Sequence, residues 1–332
     1  MRPQQVRPRL ANNLDHLWLN AAASLAARGL PLARPNPAVG AVIVKDGVVI
    51  ARGWTQPGGR PHAEAVALAA AGDAAHGATL YVTLEPCAHQ SERGPACADL
   101  VAGSGVARVV IGCADPDPRT AGAGIKRLQA AGLTADLMPS AACAASLAGY
   151  LKRRTADRPH ITLKLATSLD GAIALASGES QWITGAEARA HAHALRARCD
   201  AILVGGATLR ADTPRLDVRL PGLEQRAPSR WVLTGAAPPT GWHALPSPEA
   251  TGTAMPDAQY LLIEGGAGAA AAYLRADLVD RLVLYRAPIV IGGGQPCIAD
   301  IGLTGLAAAH GRWTLSDRRQ LGNDLLEVYE RT

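Results

Sequence analysis

Phenylalanine is absent from the 332 residues, and aromatic side chains together make up only 4% of the chain. Single-stranded nucleic acids are commonly held by stacking bases on exposed rings, so this scarcity argues against that class of function. Long apolar runs are missing as well. Asp15, His16, Asn20 and Arg28 interrupt the N-terminal stretch, and no segment reaches the roughly 20 apolar residues that a membrane-spanning helix needs. Met1 to Leu10 carry three Arg but no apolar core long enough for a signal peptide. Cysteine is sparse: there are six, at 87, 97, 113, 143, 199 and 297, and only the first two are close together. Such a pattern reads as a reduced protein with the cytoplasm as its expected location, and Cys113, Cys143, Cys199 and Cys297 as small buried residues. Nor is there a strong excess of one charge. The formal net charge is +5, with Arg scattered along the chain. That suits a few guanidinium groups holding phosphate on a small substrate as well as it suits a weak nucleic-acid patch.

What is present is a chain long enough for two domains. Leu14, Leu17, Trp18, Ala21, Leu25 and Ala26 recur at helical spacing, and Gly29 and Pro31 should end that helix. Val39–Val44 and Val48–Arg52, joined through Asp46-Gly47, read as a hairpin. Helices are expected at Ala63–Ala71, Cys97–Gly103, Ile125–Ala131 and Ala141–Lys152, and strands at Thr79–Leu84 and Ala107–Gly112. Arg153–Pro159 reads as a charged linker, which places a domain boundary near residue 156 and divides the chain into 1–156 and 157–332. The pattern then restarts: strands at Ile161–Ala166, Ala172–Leu175, Ala201–Gly205, Arg230–Leu233, Tyr260–Ile263 and Arg281–Tyr285, with a helix capped by Thr184 and Glu187. Strands alternating with helices imply α/β layers.

The strongest chemical signal lies in the first half. His62 and Glu64 stand two apart, and Glu85-Pro86-Cys87 and then Cys97 follow. One imidazole and two thiolates are three ligands, which leaves the fourth position of a tetrahedral zinc for water. A carboxylate beside such a site is the right group to move protons. His-x-Glu on an alanine-rich helix ordinarily means nothing, but its conjunction with Pro-Cys and a second Cys is the signature of zinc-dependent base and nucleotide deaminases. Pro61 is expected at the first helical position, and Cys97 at a helix start, where thiolate is favoured.

Spacing narrows the class, because nine residues separate the two cysteines where cytidine- and transfer-RNA-type enzymes have two. Pro35-Asn36-Pro37-Ala38-Val39-Gly40, His62-Ala63-Glu64, Glu85-Pro86-Cys87-Ala88-His89 and Gly94-Pro95-Ala96-Cys97 resemble the deaminase half of the bifunctional riboflavin-biosynthesis deaminase/reductase family. That family usually has one residue fewer between the cysteines. The resemblance implies a cytidine-deaminase-like domain with Zn2+ on His62, Cys87 and Cys97 and Glu64 as the catalytic proton carrier. Asn36 would read the base edge, and His89 and Arg93 would contact the substrate phosphate; on residues alone a turn residue and exposed loop side chains are the alternatives.

On residues alone the second half is less decisive. Val204-Gly205-Gly206 and Glu264-Gly265-Gly266 end two strands, and Gly266-x-Gly268-x-x-Ala271 fits a dinucleotide fingerprint in form. A turn kept for packing is an equal reading. Leu163 to Gly171, Ser177 to Thr184, Gly206-Ala207-Thr208 through Asp212-Thr213-Pro214, and Leu216 to Arg219 resemble the reductase half of the same family. The resemblance implies a dihydrofolate-reductase-like fold and NADPH. By that resemblance Ala166, Trp182, Thr208, Asp212 and Gly266 hold NADPH, while Ser180, Arg196, Leu216, Arg219 and Glu264 hold the substrate. Arg196 and Arg219 are expected to fork onto its phosphate. Without the resemblance, a core Trp and surface Arg are the plainer readings.

The resemblance thus implies a two-domain α/β enzyme that deaminates a phosphorylated pyrimidine ribosylamine and then reduces its ribosyl group to ribityl. It implies Zn2+ and NADPH, a homodimer through the reductase domain, and neither nucleic acid nor membrane as partner. Two rivals remain at this stage. One is a transfer-RNA-type base deaminase with a C-terminal binding module. The other is a structural zinc module fused to a ligand-binding domain.

Overall fold

Two mixed sheets organise the residues that the computed structural model describes, 7–332. Residues 1–6, part of the stretch read for a signal peptide, lie outside the described residues. The chain divides between Ala156 and Asp157 into two units.

In the first unit the hairpin forms from β1 (Gly40–Lys45) and β2 (Val48–Trp54), with Lys45 opposite Val48. Asp46 and Gly47 both take positive φ, 51° and 76°, the conformation that matches a two-residue turn to strand twist. Strand β1 then pairs antiparallel with β3 (Thr79–Val82), followed in parallel by β4 (Arg108–Ile111) and β5 (Thr134–Leu137), giving the order β2-β1-β3-β4-β5. Alternation along β1 feeds two cores. Ala41 and Ile43 pack with Leu80, Val82, Val109 and Ile111, while Val42 and Val44 pack with Tyr81 and Val110. Helices α2 (Ala63–Ala71) and α3 (Cys97–Ala102) cover the first face; α1 (Arg7–Ala26) covers the second.

The buried stripe of α1 differs from the one read in the sequence. Leu14 and Leu17 are exposed, and the covered positions are Asp15, Leu19, Ala22 and Ala26. Asp15 is tolerated there because its carboxylate accepts hydrogen bonds from Tyr81 Oη at 2.7 Å and from both ends of the Arg108 guanidinium at 3.0 Å. Further along come α4 (Ala123–Ala130), α5 (Ala141–Ser146) and α6 (Ala148–Ala156). The single helix expected at 141–152 is therefore two, broken at Leu147, and the second runs through the first half of the expected linker.

The second unit holds β6 (His160–Thr167), β7 (Ala172–Ala174), α7 (Ala186–Arg196), β8 (Ala201–Gly205), α8 (Gly206–Asp212), β9 (Ser229–Leu233), β10 (His243–Leu245), α9 (Thr251–Ala254), β11 (Tyr260–Glu264), α10 (Ala267–Arg275) and β12 (Arg281–Arg286). The pair β13 (Gln295–Pro296) with β7 stands apart, and β14 (Trp313–Leu321) and β15 (Asp324–Arg331) end the chain. The sheet order is β10-β9-β8-β11-β6-β12-β15-β14, parallel as far as β12 and antiparallel beyond. Helix α10 packs Ala270 and Tyr273 on one face, and α7 packs Ala188 and Ala192 on the other.

Thr184 does not cap α7. The N-cap is Gly185, whose N–H is taken by the buried Asp324 carboxylate at 2.6 Å. The terminal hairpin was absent from the sequence reading because β14 is solvated along its length and shows no two-residue alternation.

Candidate active sites

The first site is assembled where α2, the exit of β3 and the start of α3 meet. His62 is the N-cap of α2, with φ −71° and ψ 164°, and makes no side-chain cap bond. Pro61 accordingly precedes the helix instead of opening it. The helix lies close on β2 because Gly53 has no side chain: a Cβ there would come within 2.2 Å of the Ala63 carbonyl oxygen. Downstream of β3, the buried Glu85 carboxylate accepts from the N–H groups of Asp115, Gly122 and Ile125 at 3.1–3.3 Å. That bond set ties the Cys87 turn to the start of α4.

His62 Nδ1 lies 3.2 Å from Cys97 Sγ and 3.6 Å from Cys87 Sγ. One donor atom from each of the three falls within 4.8 Å of the others, and no further His, Cys, Asp or Glu joins this group among the described residues. Cys97 N–H donates to Cys87 Sγ at 3.3 Å. A side-chain hydrogen bond from the Cys97 thiol, with His62 adding to it, holds the Cys87 thiol below its ordinary range against the opposing effect of burial; giving that thiol hydrogen bond, and being buried, Cys97 is itself pushed up. A nitrogen and two sulfurs, one readily thiolate, fit a zinc ion with one position left for water. Glu64 is buried beside them, and burial raises its carboxyl above the ordinary carboxylate range.

His62, Cys87 and Glu64 open onto a cavity of about 200 Å³ that also receives Asn36, His89 and Arg93. Asn36 Nδ2 lies 3.3 Å from His62 Nε2 and donates to the Gly59 carbonyl at 2.9 Å. His89 brings a buried Nδ1 with no hydrogen-bond partner. Cys97 lies behind, lining a neighbouring cavity with His62. Sequence reasoning missed Arg60 and the wall formed by Asp115, Asp117, Arg119, Tyr150 and Arg154. The available signal was Ala-Asp-Pro-Asp-Pro directly after a strand, since ligand crevices form outside the carboxyl ends of strands.

In the second unit all ten residues singled out line one cavity of about 540 Å³: Ala166, Ser180, Trp182, Arg196, Thr208, Asp212, Leu216, Arg219, Glu264 and Gly266. It lies at the carboxyl ends of the parallel strands. The turns after β8 and β11 meet edge to edge. A Cβ on Gly265 would lie 3.3 Å from Gly205 N, and one on Gly266 would lie 3.1 Å from Thr208 Oγ1. Bare backbone of this kind, leading into α10, fits the diphosphate of a dinucleotide. Trp182 is 64% exposed, with the Arg189 guanidinium 4.7 Å above its ring, so it is not a core residue.

Arg196 behaves differently from the expectation. Its Nε and Nη2 grip Glu264 at 2.6 and 2.9 Å, and its Nη1 bonds the Asp217 carbonyl. Arg196 is thus paired with a carboxylate, while Arg219 is exposed at the rim. Burial pushes Glu264 up, but Lys164 and Arg196 outweigh it and bring its carboxyl down to about 2. Thr213 and Leu216 take positive φ, 39° and 52°; such left-handed backbone at non-glycine residues concentrates at ligand sites. His193 Nδ1 sits 3.1 Å from the Asp217 carbonyl, and His191 Nδ1 sits 2.8 Å from Tyr285 Oη.

Comparison with known proteins agrees with both halves. The family described as cytidine and deoxycytidylate deaminase zinc-binding region matches residues 12–113, and the RibD C-terminal domain matches 159–240 and 254–326. The riboflavin biosynthesis protein RibD of Escherichia coli is 38% identical, over 94% of this chain and 98% of its own. That of Aquifex aeolicus is 33% identical, over 97% and 100%. Among solved structures, Acinetobacter baumannii RibD superposes with a TM-score of 0.85 at 35% identity, covering 97% of this chain and 99% of that one. A deaminase/reductase from Thermotoga maritima gives 0.84 at 29%, covering 97% and 100%.

Proposed function

The chain belongs to the family of the riboflavin biosynthesis protein RibD, and from that premise we propose that its unit 1–156 deaminates and its unit 157–332 reduces. It is a bifunctional enzyme of riboflavin biosynthesis, acting on a phosphorylated pyrimidine with Zn2+ and NADPH as cofactors. The observation that carries the residue assignment is the clustered His62/Cys87/Cys97 donor set with the buried Glu64 carboxylate lining the same pocket as His62 and Cys87.

His62, Cys87 and Cys97 hold zinc, which when bound makes water a nucleophile near neutral pH. Glu64, kept from solvent, would take one proton from the attacking water and pass it to the ring nitrogen, then take the second from the hydroxyl so formed and give it to the departing amine. Asn36 presents a donor and an acceptor to the base edge. In unit 157–332 the glycine turns, Ala166, Thr208 and Asp212 seat NADPH, which when bound supplies the reducing power. Trp182 offers its exposed face to the cofactor. Ser180, Leu216 and Arg219 position the sugar phosphate, and the Arg196–Glu264 pair forms the polar floor beneath it.

A nucleic-acid deaminase is not favoured, since relatives of this biosynthetic family match the chain nearly end to end. Among the described residues no helix is long and apolar enough to cross a membrane, which supports a cytoplasmic location. Exposed Leu169, Ile289 and Val290, with Leu169 N–H bonded to the Ile289 carbonyl, support a homodimer through this unit; a monomer in sedimentation equilibrium would remove that part. The whole reading is tested by following ammonia release and NADPH oxidation together on the diaminopyrimidinone ribosylamine phosphate. Both signals are expected, ammonia first. NADPH oxidation without ammonia would overturn the order of the steps, and neither signal would overturn the assignment.

A further inference from the structure

The cavity of the first unit is lined by four guanidinium groups, those of Arg60, Arg93, Arg119 and Arg154. They are not equivalent. Arg119 Nη2 and Arg154 Nη2 both pair with Asp117 Oδ2, at 2.6 and 3.1 Å. A guanidinium that already faces a carboxylate has less attraction left for a second anion, and displacing Asp117 would strand a buried charge. Asp117 is 3% exposed, and chiefly its hydrogen bonds from Arg119 hold its carboxyl down to about 2, so it stays an anion throughout the useful pH range.

Among the described residues, the guanidinium groups of Arg60 and Arg93 bond only to carbonyl oxygens. Arg60 stands just before Pro61-His62 yet reaches across to the Pro95 carbonyl at 3.4 Å; Arg93, on the Cys87–Cys97 loop, reaches back to the Gly58 carbonyl at 2.7 Å. Each side chain thus crosses to the segment that bears the other. These bonds orient the two groups without neutralising them. Gly94 makes the crossing possible: it sits at φ 138°, and a Cβ there would lie 3.0 Å from Arg60 Nη1. Two uncompensated guanidinium groups held at the mouth of a pocket, a short way from a metal-type donor set, form a site for a dianion.

We propose that Arg60, together with Arg93, clamps the 5′-phosphate of the deaminase substrate. This rests on the deaminase reading above and deepens it: the phosphate end faces the Arg60–Arg93 crossing, and the Asp117-bound pair of arginines lines the same cavity with its charge already met. Arg60 is the residue that makes the pocket select a nucleotide over the corresponding nucleoside.

The test compares Arg60→Met, Arg93→Met and Arg119→Met on the phosphorylated substrate and on its dephosphorylated counterpart. For Arg60→Met and Arg93→Met, KM for the phosphorylated substrate should rise about tenfold to a hundredfold, the scale of a lost charge-assisted hydrogen bond. Neither kcat nor KM for the dephosphorylated substrate should move. Zinc content and melting temperature should match the parent protein, and the Ki of ribose 5-phosphate against ammonia release should rise in step. Equal losses on both substrates, or a phosphate-specific loss confined to Arg119→Met, would overturn the clamp while leaving the deaminase assignment standing. A parent protein that releases no ammonia from either substrate would sink that assignment, and the clamp with it.

Discussion

Two carboxylates do opposite things in this chain, and their surroundings explain why. Glu64 is buried without a guanidinium partner, so burial raises its carboxyl above the ordinary carboxylate range. Replacing it with Gln keeps size and hydrogen bonding but removes the proton carrier. The Glu64→Gln protein should retain zinc and lose ammonia release by at least roughly 10²–10⁴-fold; metal analysis alongside an ammonia assay reads both. Glu264 is equally buried but faces Arg196 and Lys164, and its carboxyl lies near 2 instead of the ordinary 4.5. A carboxyl depressed on folding contributes stability that is present above its unfolded value and lost as pH falls through the folded one. Unfolding of the reductase unit should therefore become easier between about pH 4.5 and pH 2, by on the order of 3 kcal/mol in all. In Glu264→Gln that portion of the pH dependence should vanish, as acid titration followed by circular dichroism can record.

At the scale of elements, His62 and Glu64 owe their position to the close packing of α2 on β2. Helix α2 can deliver His62 and Glu64 because Gly53 on β2 lets the Ala63 carbonyl approach. Gly53→Ala should push the helix N-terminus outward, cost roughly 1–3 kcal/mol by overpacking, and weaken zinc retention. Thermal melts and competition with a chelator would measure the two effects; an unchanged zinc affinity would show that the ligands are placed by the loops instead. The same close approach was invisible in the sequence, where Gly53 is one glycine among 35. Helix α7 makes a related point. Its start looked locally encoded by Thr184 and Glu187, but the acceptor came from Asp324, 139 residues away.

Taken whole, the chain places two chemistries in separate units, each with its own cavity at the carboxyl side of its sheet. Removing zinc should then abolish ammonia release while NADPH oxidation on the already deaminated intermediate continues. With the diaminopyrimidinone substrate, NADPH oxidation should stop, because no intermediate forms. A spectrophotometric assay on the chelator-treated protein, repeated after zinc is restored, distinguishes the cases. Loss of both activities on the deaminated intermediate would mean that the metal also supports the second unit.

The His/Cys/Cys donor set and most element positions could be read from residue types and spacing, because ligand chemistry and hydrophobic period are local properties. The hairpin at Asp46-Gly47, helix α2 and strand β8 emerged where the periodicity placed them. What only the folded chain decided is which charges are already spent. Arg196 and Arg154 look as available as Arg60 in the sequence, yet they face Glu264 and Asp117 across tens of residues. Pairing of charges depends on distance in space, and so does the buried seat of Asp15 against Tyr81 and Arg108. No short window of residues contains either.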